Sequence, residues 1–263
     1  MARNRGMNNK GLMAAGGMLA AVVGLTAYVA LSGGDDGGSP EGKASRPSAA
    51  ASASAVPTYQ VPDDWTEPAR WAALPRGQKS DKYGSQTGFP HSTEGALGMM
   101  AAAQSTDIGQ QKSTVDEHLR VYHSYVAGED RSESGAERVE LGAQRTDKSL
   151  HQQMGVDPGS RLPSGAYLRT TMVGYKLIKQ SPDEVSVWLL SRVSQKTGES
   201  AKETVSYTRN LMGVRWEGGD WKLSTQVTQD AQQATVGQAK PAGAAPGDKA
   251  FNSAGWTALR EAS

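Results

Sequence analysis

AYLRTTMVGYKLIK, residues 166–179, steps between apolar and polar side chains through Tyr167, Val173, Tyr175 and Leu177, the period-two pattern of a half-buried strand. The pattern repeats downstream. Residues 184–193 place Val185, Val187, Leu189 and Val193 in step, residues 204–216 form a third run, and residues 221–227 a fourth with Leu223 and Val227 in register. The connections SPDE, KTGES and EGGD are rich in turn formers, so the four runs predict an antiparallel meander.

The segment upstream of the strands reads as helix. HSTEGALGMMAAAQS opens on Ser92 or Thr93 as N-cap and carries Ala96, Leu97, Met100 and Ala101 on one face. STVDEHLRVYHSYVAG places Thr114 as a cap with Glu117 three residues on, a capping box. Val115, Leu119, Tyr122 and Val126 then fall on a single helical face, and Gly128 closes the helix. A third, more polar helix is expected between Ser132 and Met154, stopped by GVDPGSRLPSG. Helices followed by consecutive strands give an α+β order, with the helices laid on one face of a curved sheet.

Further towards the N-terminus the composition changes twice. Residues 58–91 set Trp65, Trp71, Tyr83 and Phe89 among Pro62, Pro68, Pro75 and Pro90, which predicts an extended arm lying on the folded domain. Its alternative is an arm that binds a partner. Residues 33–57, rich in Ser, Ala, Pro and Gly, cannot bury enough apolar surface to offset chain entropy and are expected to be a disordered stalk. Before the stalk, LMAAGGMLAAVVGLTAYVALS (residues 12–32) holds no charge. At about 1.5 Å per residue a helix of that length reaches about 31 Å, a bilayer's hydrocarbon thickness.

This run is expected to be a single transmembrane helix. The tip, residues 1–11, carries Arg3, Arg5 and Lys10 and no acid, whereas the far flank begins with Asp35, Asp36 and Glu41. That asymmetry puts the N-terminus in the cytoplasm and the domain, residues 92–229, outside the cell membrane. A cleaved signal peptide is the rival, with Ala30, Leu31 and Ser32 as its processing site, but the apolar run exceeds the usual signal core. Gly16, Ala20 and Gly24 recur every four residues and would let two such helices approach as a homo-oligomer. Residues 230–263 return to low complexity. A short helix after Ser253, holding Trp256 and Leu259, is either a docking motif or a segment tucked against the domain.

Composition excludes several classes of function. The formal net charge is +1 and Lys and Arg are scattered, without the basic stripe of a nucleic-acid binder. With no Cys, neither a disulfide nor a thiolate metal site exists. No Gly-rich phosphate loop or nucleophile elbow appears, so no cofactor is expected. The polar residues open to catalytic use are Asp116, His118, Tyr122 and His123 on the second helix and Tyr167 and Tyr175 on the sheet. His118 and His123, five residues apart, do not share a face as paired metal ligands would. His91 and His151 stand alone and read as surface or capping residues.

The element order, closed by the hairpin VRWEGGDWKL, resembles the nuclear-transport-factor-2-like cone fold. GFPHSTEGALGMMAA is similar to a stretch of uncharacterised, membrane-anchored proteins of actinobacteria, in which a basic tip, one span and a Ser/Ala/Pro stalk precede this domain. Similar one-span cone-domain proteins are assembly factors of conjugative type IV secretion channels. The resemblance, over about residues 65–227, implies a membrane-anchored binding or scaffold protein in a conjugation or secretion assembly, without catalysis. It also admits a small-ligand-binding or isomerase-like cone. For contact with other membrane or envelope proteins the aromatic candidates are Trp65, Trp71, Trp216, Trp221 and Trp256.

Overall fold

Three long strands form the frame: β5 (Tyr167–Gln180), β6 (Glu184–Lys196) and β7 (Thr204–Glu217), each pairing antiparallel with the next. The computed structural model describes residues 64–260. Short strands extend the frame: β1 (Trp71–Ala73), β4 (Thr106–Ile108), β8 (Asp220–Leu223) and β9 (Thr257–Arg260). The sheet runs β1-β9-β5-β6-β7-β8, and β4 pairs with the start of β5. A small hairpin, β2 (Lys79–Ser80) with β3 (Gln86–Thr87), stands apart.

Five α-helices occur among the described residues: α1 (Thr93–Gln104), α2 (Thr114–Tyr125), α3 (Glu133–Gln153), α4 (Thr225–Ala234) and α5 (Lys249–Ser253). The class is α+β with a curved sheet. None of these helices is long and apolar enough to cross a membrane. The expected span over residues 12–32, its Gly16, Ala20 and Gly24 face, the tip and the stalk lie outside the described residues.

The helix starts follow their caps. Ser92 Oγ accepts from Gly95 N at 3.1 Å, and Ser132 Oγ accepts from Gly135 N at 3.0 Å. On α2 the capping box sits one residue earlier than expected. Ser113 and Asp116 cap each other's backbone, because Asp116 reaches Ser113 N at 2.9 Å while Ser113 Oγ takes Asp116 N at 3.1 Å. The buried face moves with it. Tyr122 and Val126 are buried as expected, but Val115 and Leu119 are only half-buried, and Glu117, His118, Val121 and Tyr125 turn inward.

Consecutive residues on β6 belong to different cores, Leu189 beneath α1 and α2 and Leu190 on the other face. The first core joins Leu97, Met100, Tyr122, Tyr125, Val187 and Trp221. A satellite of Ile108, Leu150, Leu162, Leu168 and Val193 closes the end where α3 stops.

Two expectations fail in the last third of the chain. The fourth strand ends at Leu223, because Ser224 caps α4 instead of continuing the alternation. Gly213 makes room for that helix: a Cβ there would stand 2.5 Å from the backbone of both Val227 and Thr228. The other concerns the terminal segment, which takes the second of its two readings and tucks against the domain, but without the expected helix after Ser253. Phe251 and Trp256 are 1% exposed and cover the second face of the sheet with Leu190 and Ala258. The helix α5 precedes Trp256, and the residues expected to be helical after it form β9, which inserts between β1 and β5.

Candidate functional site

A cleft of about 550 Å³ lies between α1, α2 and the gap in the sheet beside β5. Its geometry follows from the pairing of β5. One edge of β5 pairs with β6 along its length; the other pairs with β4 at residues 168–170 and with β9 at residues 174–175. β9 then leaves β5, and its last residues pair with Ala72 and Ala73 of β1. Among the described residues no strand covers Thr171, Met172 and Val173 on that edge, and a β-bulge falls there between Met172 and Gly174. The cleft opens at this gap.

Its walls are apolar at Leu74, Pro75, Ala101, Ala102 and Leu259. Its floor is charged. The Glu117 side chain, 3% exposed, takes Arg120 Nε at 2.9 Å and Lys112 Nζ at 3.3 Å. Arg120 further donates to Ser85 Oγ at 2.9 Å and to the Ser105 carbonyl at 2.8 Å, tying α2 to the β2–β3 turn and to the end of α1. The Tyr125 hydroxyl donates to the Gln86 carbonyl at 3.0 Å, and burial pushes its phenol above the usual range, so it stays a donor. Arg76 and Arg260 complete the rim, with the Arg260 guanidinium 5.4 Å from the Trp71 ring centre. Asp107, the second carboxylate of the lining, is engaged by Arg169 at 2.9 Å.

The polar residues singled out in the sequence do not converge here. Asp116 is spent on the helix cap. His118 is buried beside Glu117, and desolvation lowers it to about 4, against the attraction of that carboxylate. His123 stacks on Tyr83 at 5.0 Å. Tyr122 hydrogen-bonds the Ser132 backbone at 2.9 Å, holding the turn into α3. Tyr167 bonds Glu203 on the surface, and Tyr175 packs at the margin of the first core. His91 stacks on Trp216 at 4.1 Å and meets Asp183 at 2.9 Å. His151, read as a surface or capping residue, is not on the surface: it is buried, with its ring nitrogens on the carbonyls of Asp147 and Ser160.

The five candidate tryptophans divide. Trp221 and Trp256 are fully buried, and each indole N–H is consumed by a carbonyl, of Pro90 at 2.9 Å and Ala242 at 2.8 Å. Neither offers a surface to a partner. Trp216 is half-buried under His91. Trp65 and Trp71 share one carboxylate, donating to Glu67 at 3.1 and 2.8 Å. The arm that carries them is stitched to the end of the chain: Asn252 bonds Ala69 N and the Glu67 carbonyl, each at 2.9 Å. Trp65 also covers Gly247, whose φ of +106° and ring contact exclude a side chain. Of the five, only Trp71 borders the cleft.

Arg120, Lys112 and Arg260 are site residues that sequence reading passes over, and Glu117 is read there only as a capping-box partner. Their one sequence signal is the i,i+3 pair Glu117–Arg120 on the helix face that also carries Val121 and Tyr125.

No curated protein and no solved structure matches the chain. Residues 32–243 match the family model described as Domain of unknown function (DUF8175), and the chain belongs to that family.

Proposed function

We propose that this chain is a membrane-anchored, extracytoplasmic binding module that acts by protein contact and not by catalysis. The observation that carries this reading is the state of the charges in the cleft. Glu117 is taken up by Lys112 and Arg120, and Asp107 by Arg169. A general base or nucleophile needs a lone pair free to reach a substrate; both oxygens of the buried Glu117 are engaged, and Asp107, which gives one oxygen to Arg169, stands exposed with no histidine beside it in the cleft lining. The ring nitrogens of His91, His118, His123 and His151 belong to no wall of the cleft.

The membrane placement rests on the uncharged run at residues 12–32 and the charge asymmetry across it. The finer fold, a nuclear-transport-factor-2-like cone, and a role in assembling a conjugation or secretion system rest on the resemblance of the helix order and the terminal hairpin. A tether to the bilayer raises the effective concentration of every other protein held in the same layer, so modest contacts suffice.

The test places a photoreactive amino acid at Ser105, on the cleft rim, or at Gln144, exposed on α3, in cells making the full chain. Discrete cross-linked bands are expected from Ser105 and not from Gln144. Loss of function in a Glu117→Gln variant whose bands and fold persist would replace this reading with an enzymatic or small-ligand one.

A further inference from the structure

We propose that the cleft receives an extended acidic peptide of a partner protein, which adds as a short strand to the edge of β5 left open between β4 and β9. The inference rests on the reading of the domain as a protein-contact module and assigns that contact its place and chemistry.

Three observations converge. The first is the backbone. Among the described residues, 171–173 have no strand neighbour on this edge, while β4 and β9 pair with the residues on either side of them. Three residues of strand span about 10 Å, room for one short extended segment and too little for the edge of another sheet. An edge recessed in this way offers main-chain recognition without inviting sheet-to-sheet aggregation.

The second is the alternation of the side chains beside that edge. Thr171 is exposed, Met172 is buried among the first core and Val173 is half-buried in the second. An entering strand therefore meets both layers. Its apolar side chains would rest on Leu74, Ala101, Ala102 and Leu259.

The third is charge. The lining holds Arg76, Lys112, Arg120 and Arg260 against Glu117 and Asp107, and Asp107 is already engaged by Arg169 outside the cleft. Lys112, 58% exposed while it meets Glu117, and Arg260, exposed at the last residue of β9, both bring positive charge to what enters. Charge complementarity of this kind selects the partner and its direction of approach. A free small anion would use the cations alone and an acyl chain the walls alone. Only a peptide also uses the open backbone.

Binding is read by fluorescence anisotropy on the full chain in detergent micelles. The probe is a labelled, end-blocked peptide of three Glu-Val repeats. The comparators are the Lys-Val peptide and the acidic peptide N-methylated at every residue, which keeps its charge but has no backbone N–H left to donate between residues. Saturable binding of the acidic probe is expected, with a loss of at least about tenfold on N-methylation and a similar loss in the Lys112→Glu/Arg260→Glu variant. Ala102→Phe, which fills the cleft without touching charge, should weaken binding too and serves where the charge reversal lowers the melting temperature. Absence of binding, equal binding of the N-methylated peptide, or equal binding of the Lys-Val peptide overturns the proposal. If it fails while the Ser105 cross-links persist, the contact reading survives without this site; if both are lost, the contact reading falls with it.

Discussion

Glu117 and Arg120 meet at 2.9 Å on the cleft floor, with side chains only 3% and 13% exposed. Removing one partner of a buried pair leaves a stranded charge, a larger loss than removing both. Arg120→Ala should therefore cost on the order of 3 kcal/mol in denaturant unfolding, and Glu117→Gln/Arg120→Met appreciably less. Lys112 meets the same carboxylate from solvent, and Lys112→Ala should stay within about 1 kcal/mol. Equal losses from Arg120→Ala and Lys112→Ala would show that the floor is not a desolvated pair.

Two histidines give stability opposite dependences on pH. His118 is buried and lowered from 6.5 to about 4 by desolvation, opposed by Glu117. The unfolded chain binds its proton first, so stability falls as pH drops from about 6.5 towards 4, by on the order of 3 kcal/mol.

His151 shifts the other way. Desolvation acts to lower it, but the carbonyls of Asp147 at 2.7 Å and Ser160 at 2.9 Å, together with the Asp147 carboxylate, raise it overall. Its contribution is complete below the unfolded value and is lost as pH rises through the folded one. In melts against pH, His118→Leu should remove the acid-side loss, whereas His151→Gln should cost most at low pH. A His151→Gln penalty that grows with rising pH would contradict the paired carbonyls.

The long strands were legible because alternation is a local signal. The expected 166–179 run corresponds to Tyr167–Gln180, and the Ser132–Met154 region contains α3. The face of α2 was misjudged because pattern reading sends charge outward, while here Glu117 is drawn inward by the three-way anchorage of Arg120. The cleft could not be read at all: it exists only where five segments distant in sequence converge. The partnership of β1 with β9 joins the two ends of the described residues, and nothing in WAA or TALR announces it.

The contact between α4 and β7 depends on a missing side chain. Gly213 N donates to Thr228 Oγ1 at 3.0 Å and its carbonyl accepts from Ser224 N at 3.0 Å. A Cβ there would press on helix backbone at 2.5 Å, which cannot swing aside as a flexible side chain would. Gly213→Ala should cost about 2 kcal/mol as an overpacked site, and Gly218→Ala should act only through its turn conformation, since nothing lies within 4 Å of its Cβ position. A neutral Gly213→Ala in thermal unfolding would mean that α4 is not seated as described.

The family match ends at residue 243, yet α5 and β9 lie beyond it and complete the sheet. β1 has no other strand partner among the described residues, and Trp256 and Phe251 cover Leu190 and Val173 from the second face. A chain cut after residue 243 should therefore keep α1–α3 and β5–β8 but lose the order of β1. It should also expose apolar surface, read as a rise in binding of a hydrophobic dye. Trp256→Ala tests the same packing with one residue, at an expected cost of about 3–5 kcal/mol. Val236→Ala, at a position 79% exposed, should stay within about 0.5 kcal/mol. Should the truncated chain melt as cooperatively and at the same temperature as the whole, the terminal segment would be an accessory to the fold and not a part of its core.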